Sequence, residues 1–131
     1  MAPVRTIARG TFEIQMSPSS PELSGAVARF DFTKTFRGDL EAVGAGVMLS
    51  AGDPTQGAAG YVAIETVSGC LGGQTGEFVM QQLGSMFGGS QVLQYEVVPG
   101  SGRGELEGMT GALHLTVDED GTHRYELEYS I

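Results

Sequence analysis

Few reactive side chains in this 131-residue sequence lie inside alternating, largely apolar segments. Glu65 shares its parity with Tyr61 and Ala63. Lys34 falls on the same face as Phe30, Phe32 and Phe36. Gln82 falls with Phe78 and Met80, and Tyr95 with Leu93 and Val97. Tyr125 and Tyr129 alternate with Arg124, Glu126 and Glu128. A carboxylate, an amide and a phenol held in apolar surroundings can polarise a carbonyl or move a proton in a reaction that needs no other group. Glu65, Gln82 and Tyr125 are therefore the catalytic candidates. Phe32, Lys34, Tyr61, Phe78, Met80, Tyr95 and Tyr129 are the candidates for lining a substrate site. Lys34 either marks a rim or pairs with a carboxylate such as Glu65. In the segment 61–68 two faces compete for the interior, Tyr61/Ala63/Glu65 and Val62/Ile64/Thr66, and the sequence does not choose between them. For every one of these residues the alternative is structural: a solvated charge, a satisfied amide or a core aromatic.

Other chemistries lack their motifs. Gly100-Ser101-Gly102-Arg103-Gly104 looks like a phosphate loop, but the acidic Glu105-Leu106-Glu107-Gly108 follows it where a helix N-terminus should stand, so it reads as a turn between strands. No Walker A pattern and no Gly-x-Ser-x-Gly elbow is present. His114 and His123 flank an acidic turn without the further ligands that a zinc site needs, and Asp118-Glu119-Asp120-Gly121 lacks calcium-loop spacing. No metal and no cofactor is expected. Cys70 has no activating neighbour in sequence and reads as a buried, inert thiol.

The elements that must position these residues follow from the glycines. There are 21 of them, about twice the usual share of about 7%. The longest window without Gly or Pro is 26–37, and its phenylalanines keep a two-residue period, which is that of a strand. A glycine arrives often enough elsewhere that a mainly helical chain would absorb about 1 kcal/mol at each one. Strands are expected over 11–16, 26–37, 39–50, 61–68, 77–83, 91–98, 112–117 and 122–131, with a short one at 104–107. Gly44 and Gly46 suggest a bend or bulge in 39–50. Gly69–Gly76 reads as a connection, and 17–25 as the one mobile loop, with the first few residues fraying. About eight antiparallel strands with short links predict an all-β fold, a closed, lipocalin-like barrel, occupying 1–131 as one domain.

Sixteen acidic residues against seven basic ones give a formal charge of −9, a poor match to nucleic acid or anionic membrane. The lone cysteine and the absence of a signal-like apolar run at MAPVRTIARG predict a cytoplasmic protein with no membrane partner.

Four blocks, Phe32–Leu40, Gly60–Glu65, Val97–Leu106 and Tyr125–Tyr129, together resemble a family of small uncharacterised bacterial proteins with the allene-oxide-cyclase-like barrel fold. The Val97-Val98-Pro99-Gly100-Ser101-Gly102 block is the most specific of them. The resemblance implies an eight-stranded antiparallel barrel with a cavity. The family tends to have an Arg in the Gly-Arg-x-Gly-Ser-Phe block where this chain reads Gly73-Gln74-Thr75-Gly76-Glu77-Phe78, and a Gln-His pair where it reads Gln81-Gln82. An activity that needs that His does not carry over, and the same change suits a pocket for a large neutral molecule. Small barrels of this kind include polyketide-pathway enzymes that fold a polyene for intramolecular cycloaddition.

The function expected is therefore a cofactor-free cyclase of polyketide-type (antibiotic) biosynthesis, a pericyclase that holds an apolar small-molecule polyene for [4+2] or related closure. The alternatives are a non-catalytic barrel that binds a small hydrophobic ligand, or a filled barrel serving as an interaction module. Self-association as a homodimer is compatible with each of them.

Overall fold

The structure, a computed structural model, describes residues 5–19 and 25–131. Nine strands follow one another: β1 Thr6–Pro18, β2 Val27–Gly38, β3 Leu40–Asp53, β4 Ala58–Leu71, β5 Gln74–Phe87, β6 Ser90–Val97, β7 Arg103–Gly104, β8 Thr110–Val117 and β9 His123–Ser130. A single 3₁₀ turn, Pro54–Gln56, links β3 to β4. The order around the sheet is β4-β3-β2-β1-β9-β8-β6-β5, and β4 pairs with β5 to close it, so eight antiparallel strands form a barrel with β7 as a short extra strand beside β5. The expected all-β barrel is the observed one. No helix of the described residues is long and apolar enough to cross a membrane.

The strands run longer than the alternation alone suggests. β4 and β5 extend into the expected connection Gly69–Gly76, which contracts to a two-residue turn at Gly72 and Gly73, both at positive φ (56° and 87°). Such a hairpin turn needs residues that tolerate this backbone. The expected strand at 104–107 is only Arg103–Gly104, and Glu105–Gly108 is turn. Ser17 and Pro18, expected in a loop, end β1, while 20–24 and the N-terminal 1–4 lie outside the described residues.

Gly44 and Gly46 introduce no bulge. Pairing with both neighbours continues unbroken, Gly44 opposite Val67 and Lys34, Gly46 opposite Glu65 and Phe32. The physical reason for these glycines lies in the lumen. A β-carbon on Gly46 would stand 2.6 Å from Phe32 Cζ and 2.8 Å from Glu65 Cβ, and one on Gly44 would stand 3.2 Å from Glu65 Oε2.

One end of the barrel is a packed core. Leu40, Leu71, Phe78, Leu106, Met109 and Leu127 are each no more than 2% exposed there, and full burial stabilises by about 1.5–3 kcal/mol for such a side chain. Tyr125 and Tyr129 belong to the same cluster. The other end is open. The β6–β8 seam is joined only through Glu96 opposite Ala112, so the mouthward parts of the two strands separate.

Candidate active site in the barrel lumen

The alternation that β4 left open is settled by burial. Ala63, Glu65 and Val67 face the lumen, with Glu65 at 1% exposure, whereas Val62 and Ile64 are about half exposed on the outside. The plainly apolar face of this strand thus points outward, and the face that carries the tyrosine and the carboxylate points in.

Lys34 on β2 and Glu65 on β4 are two strands apart, about 10 Å at the usual strand spacing. They meet because β3 between them presents Gly44 and Gly46, so the lysine stem crosses a stretch of backbone without side chains. Lys34 Nζ donates to Glu65 Oε1 at 3.1 Å and to the Tyr95 hydroxyl at 2.8 Å. The Tyr95 hydroxyl in turn donates to Glu65 Oε1, reaching across β5 from β6. The ammonium also lies 4.7 Å from the Phe12 ring centre and 5.2 Å from that of Phe32, close enough for cation–π attraction. Both partners of the ion pair are buried, at 4% and 1% exposure. Glu65 Oε2 has no hydrogen-bond partner among the described residues.

Above this cluster stands a second polar layer. Gln82, cross-strand neighbour of Tyr95 and Ala63, points its Nε2 at Glu65 Oε1 at 3.4 Å, the long limit of a hydrogen bond. Its carbonyl oxygen accepts from the Tyr61 hydroxyl at 2.8 Å. The Tyr61 ring lies over Gly84, where a β-carbon would stand 3.0 Å from Cζ. Tyr61 borders a cavity of about 520 Å³ in the open half of the barrel. Phe30, Met48, Met86, Leu93 and Leu115 form its apolar walls, and Ser50 and Gln91 add polar side chains. Its volume lies within the usual range for small-molecule sites. It reaches the separated ends of β6 and β8, so ligand could pass between Leu93 and Leu115.

The charges follow from this burial. Desolvation pushes the pKa of Lys34 below its ordinary value, and the charge and hydrogen bond of Glu65 oppose that shift. Burial raises the Tyr95 hydroxyl well above the ordinary phenol value, and the Glu65 charge raises it further; Tyr61 moves the same way for the same two reasons. Burial also raises Tyr125 and Tyr129. These are all four tyrosines of the chain. A phenol whose folded pKa lies above its unfolded value of about 10 holds its proton more tightly in the folded state. Its contribution is complete below pH 10 and is lost as the pH rises through the folded value. Absorbance at 295 nm should therefore show less phenolate at pH 10 in folded than in unfolded protein, with the Tyr95 signal appearing last, as the circular dichroism signal is lost. A graded titration centred at pH 10 would contradict the buried network.

The lumen gathers Phe32, Lys34, Tyr61, Glu65, Met80, Gln82 and Tyr95, all expected at the site. It does not bring Tyr125, Tyr129 or Phe78 to them. The Tyr125 hydroxyl is committed at the closed end, where it accepts from the Leu40 N–H at 3.0 Å and donates to the Arg37 carbonyl at 2.9 Å. Cys70 is half buried rather than fully so, and His114 is exposed. Among the described residues no group of three His, Cys, Asp or Glu is placed to hold a metal. Sequence reasoning missed that Phe12 approaches the ammonium and that Met48 and Leu115 wall the cavity. A signal did exist: lumen-facing glycines beside a lumen-facing lysine.

Comparison with known proteins fits this architecture. The profile of DUF3224, described as a protein family of unknown function, matches residues 8–129. The chain belongs to the DUF3224 family. Among solved structures, a DUF3224 protein of unknown function from Shewanella oneidensis MR-1 is similar to it, with 41% identity, a TM-score of 0.88 and 98% of each chain covered. No curated protein matches. At that identity, coverage and TM-score the two chains share the barrel fold.

Proposed function

We propose that this DUF3224 barrel takes a neutral, apolar small molecule into the open half of its lumen and promotes its cyclisation without a cofactor. The observation that carries this reading is the stacking of an apolar cavity on a buried polar network. A buried ion pair is weak support for stability, because desolvation offsets most of its Coulomb attraction. Clusters of buried titratable groups under a cavity are commoner at functional sites.

The lining favours an uncharged ligand. The Lys34 ammonium beneath the cavity has its protons directed at Glu65, Tyr95 and the phenylalanine rings, and Arg29, between the cavity liners Ala28 and Phe30, pairs with Asp31. Asp53, whose exposed carboxylate accepts from Thr55, lies between the cavity liners Gly52 and Pro54. A ligand carboxylate would meet the Asp53 carboxylate and an already paired Arg29 at the rim, and no available cation below. A ketone or ester oxygen, in contrast, can take the Tyr61 hydroxyl from Gln82. That hydrogen bond polarises a conjugated carbonyl, and the walls hold the chain folded. In a [4+2] closure of a polyenone every atom is retained, and three π bonds become one π bond and two new C–C σ bonds, so no group has to be transferred.

A second reading, binding without turnover, is favoured by one feature: Lys34 and Glu65 do not themselves line the cavity. Chromatography of a slowly self-cyclising trienone decides between the two. The expected result is an accelerated closure with one stereoisomer enriched, slowed about tenfold in Tyr61→Phe, the loss of about one hydrogen bond. Background rate with measurable binding leaves the binding reading alone. Background rate without binding removes both.

A further inference from the structure

We infer that the outer face of β3, β4, β5 and the mouthward part of β6 is the interface of a homodimer. Register aligns its outward side chains in rows across the strands. Ala45, Thr66 and Val79 form one, and Val47, Ile64, Gln81 and Glu96 the next. Leu49, Val62, Leu83 and Gln94 follow, then Ala51, Gly60, Ser85 and Val92. Glu96 is the one charged residue in these rows, with Glu41, Asp53 and Glu77 on the same outer face beyond them, in a chain with 23 charged side chains (16 acidic, 7 basic). Val62, Ile64, Leu83 and Val92 are 47–63% exposed. A shallow groove of about 490 Å³ runs across the centre of the face between Leu49, Val62 and Leu83.

The other side of the barrel is built differently. The outward residues of β1, β2 and β9 include Arg9, Glu13, Arg29, Asp31, Arg124, Glu126 and Glu128, several of them joined in exposed ion pairs. Charge chooses the occupant. Two copies of a −9 chain repel wherever their carboxylates face each other. They can approach only through a surface that carries almost no charge, and this face is that surface. A basic partner would be drawn instead to the acidic remainder.

Strand spacing and rise give the face about 20 Å by 30 Å, roughly 600 Å². Two copies would bury about 1,200 Å² in total, the lower limit for a specific pair. The closed β3–β4–β5 region offers no edge for strand addition, so the packing is sheet against sheet about a two-fold axis, each copy using the same rows.

Light scattering after size exclusion of the full chain tests this. At about 100 µM the wild type should elute with twice the 13.7 kDa chain mass, and the dimer should persist or tighten in 0.5 M salt, because salt screens like-charge repulsion. Ile64→Glu and Leu83→Glu, both outward, should each raise the dissociation constant at least about 100-fold, since the two-fold axis buries the new carboxylate twice. Ile64→Ser guards against misfolding and should weaken the dimer about tenfold. Ile7→Glu, on the outer face of β1, should leave it intact. A monomeric wild type overturns the proposal, as does a dimer that both Glu variants leave unchanged.

Discussion

Replacing Glu65 with leucine should destabilise the barrel by about 3–5 kcal/mol, whereas replacing Glu65 with leucine and Lys34 with methionine together should restore most or all of that loss. The single change strands an ammonium at 4% exposure, with only the Tyr95 hydroxyl and aromatic rings to solvate it. Breaking a buried pair from one side has that cost, while replacing both partners with apolar groups of similar volume is close to neutral. Thermal melts at pH 7 would show a midpoint lower by roughly 10–20 °C for the single variant and near wild type for the double. The comparison separates two reasons for the pair. If it existed for stability, the double variant would melt as low as the single one. If it serves the ligand site, the double variant keeps its fold and loses its action on ligand. A single variant within about 1 kcal/mol of wild type would mean that the ammonium does not need its carboxylate, and the network as drawn would be wrong.

The glycines of β3 give the second large effect. Gly46→Ala should cost about 3 kcal/mol or more, at or above the upper end for overpacking. Its β-carbon would press into the Ile64 carbonyl, 2.6 Å from Phe32 Cζ and 2.8 Å from Glu65 Cβ, where the backbone of β4 cannot retreat without breaking its register. Gly44→Ala, two residues away on the same face, should stay within about 1 kcal/mol of wild type. Its nearest contacts are Glu65 Oε2 at 3.2 Å and Phe36 Cε2 at 3.3 Å, both ends of side chains that can shift, and alanine restricts the unfolded chain by about 0.4–1 kcal/mol in compensation. Chemical denaturation of both variants checks the contrast. Equal and small losses would return both glycines to the role of backbone bends, which their sequence context suggests.

That difference shows where the sequence was readable and where it was not. The two-residue period of Phe30, Phe32 and Phe36 shows the strand and its inward face, because a half-buried strand alternates. The same logic fails for β4. Val62 and Ile64 are more apolar than Tyr61 and Glu65, yet they lie outside, because an uncharged outer face removes the polar half of the alternation. Lys34 and Glu65 are separated by 30 intervening residues, and nothing local shows that a glycine-lined strand lies between them. The pairing was one of two readings of Lys34, and only the register distinguishes it from a rim position. Tyr125 was misleading for the opposite reason. Its parity is right and its side chain is buried, but its hydroxyl serves the Leu40 and Arg37 backbone at the closed end. Parity assigns a face of the barrel, not a height along it.

Ligand choice depends on height: an apolar chamber at the open end, with a neutral hydrogen-bonding floor at Tyr61, whose hydroxyl donates to Gln82 beneath. Calorimetric titration of a long-chain methyl ketone and the fatty acid of matched length, against wild type and Tyr61→Phe, tests it most directly. The ketone should bind, the acid should bind at least about tenfold more weakly, and Tyr61→Phe should weaken the ketone by about 1 kcal/mol. An acid that binds as tightly as the ketone, or a ketone that produces no heat at any accessible concentration, would contradict it.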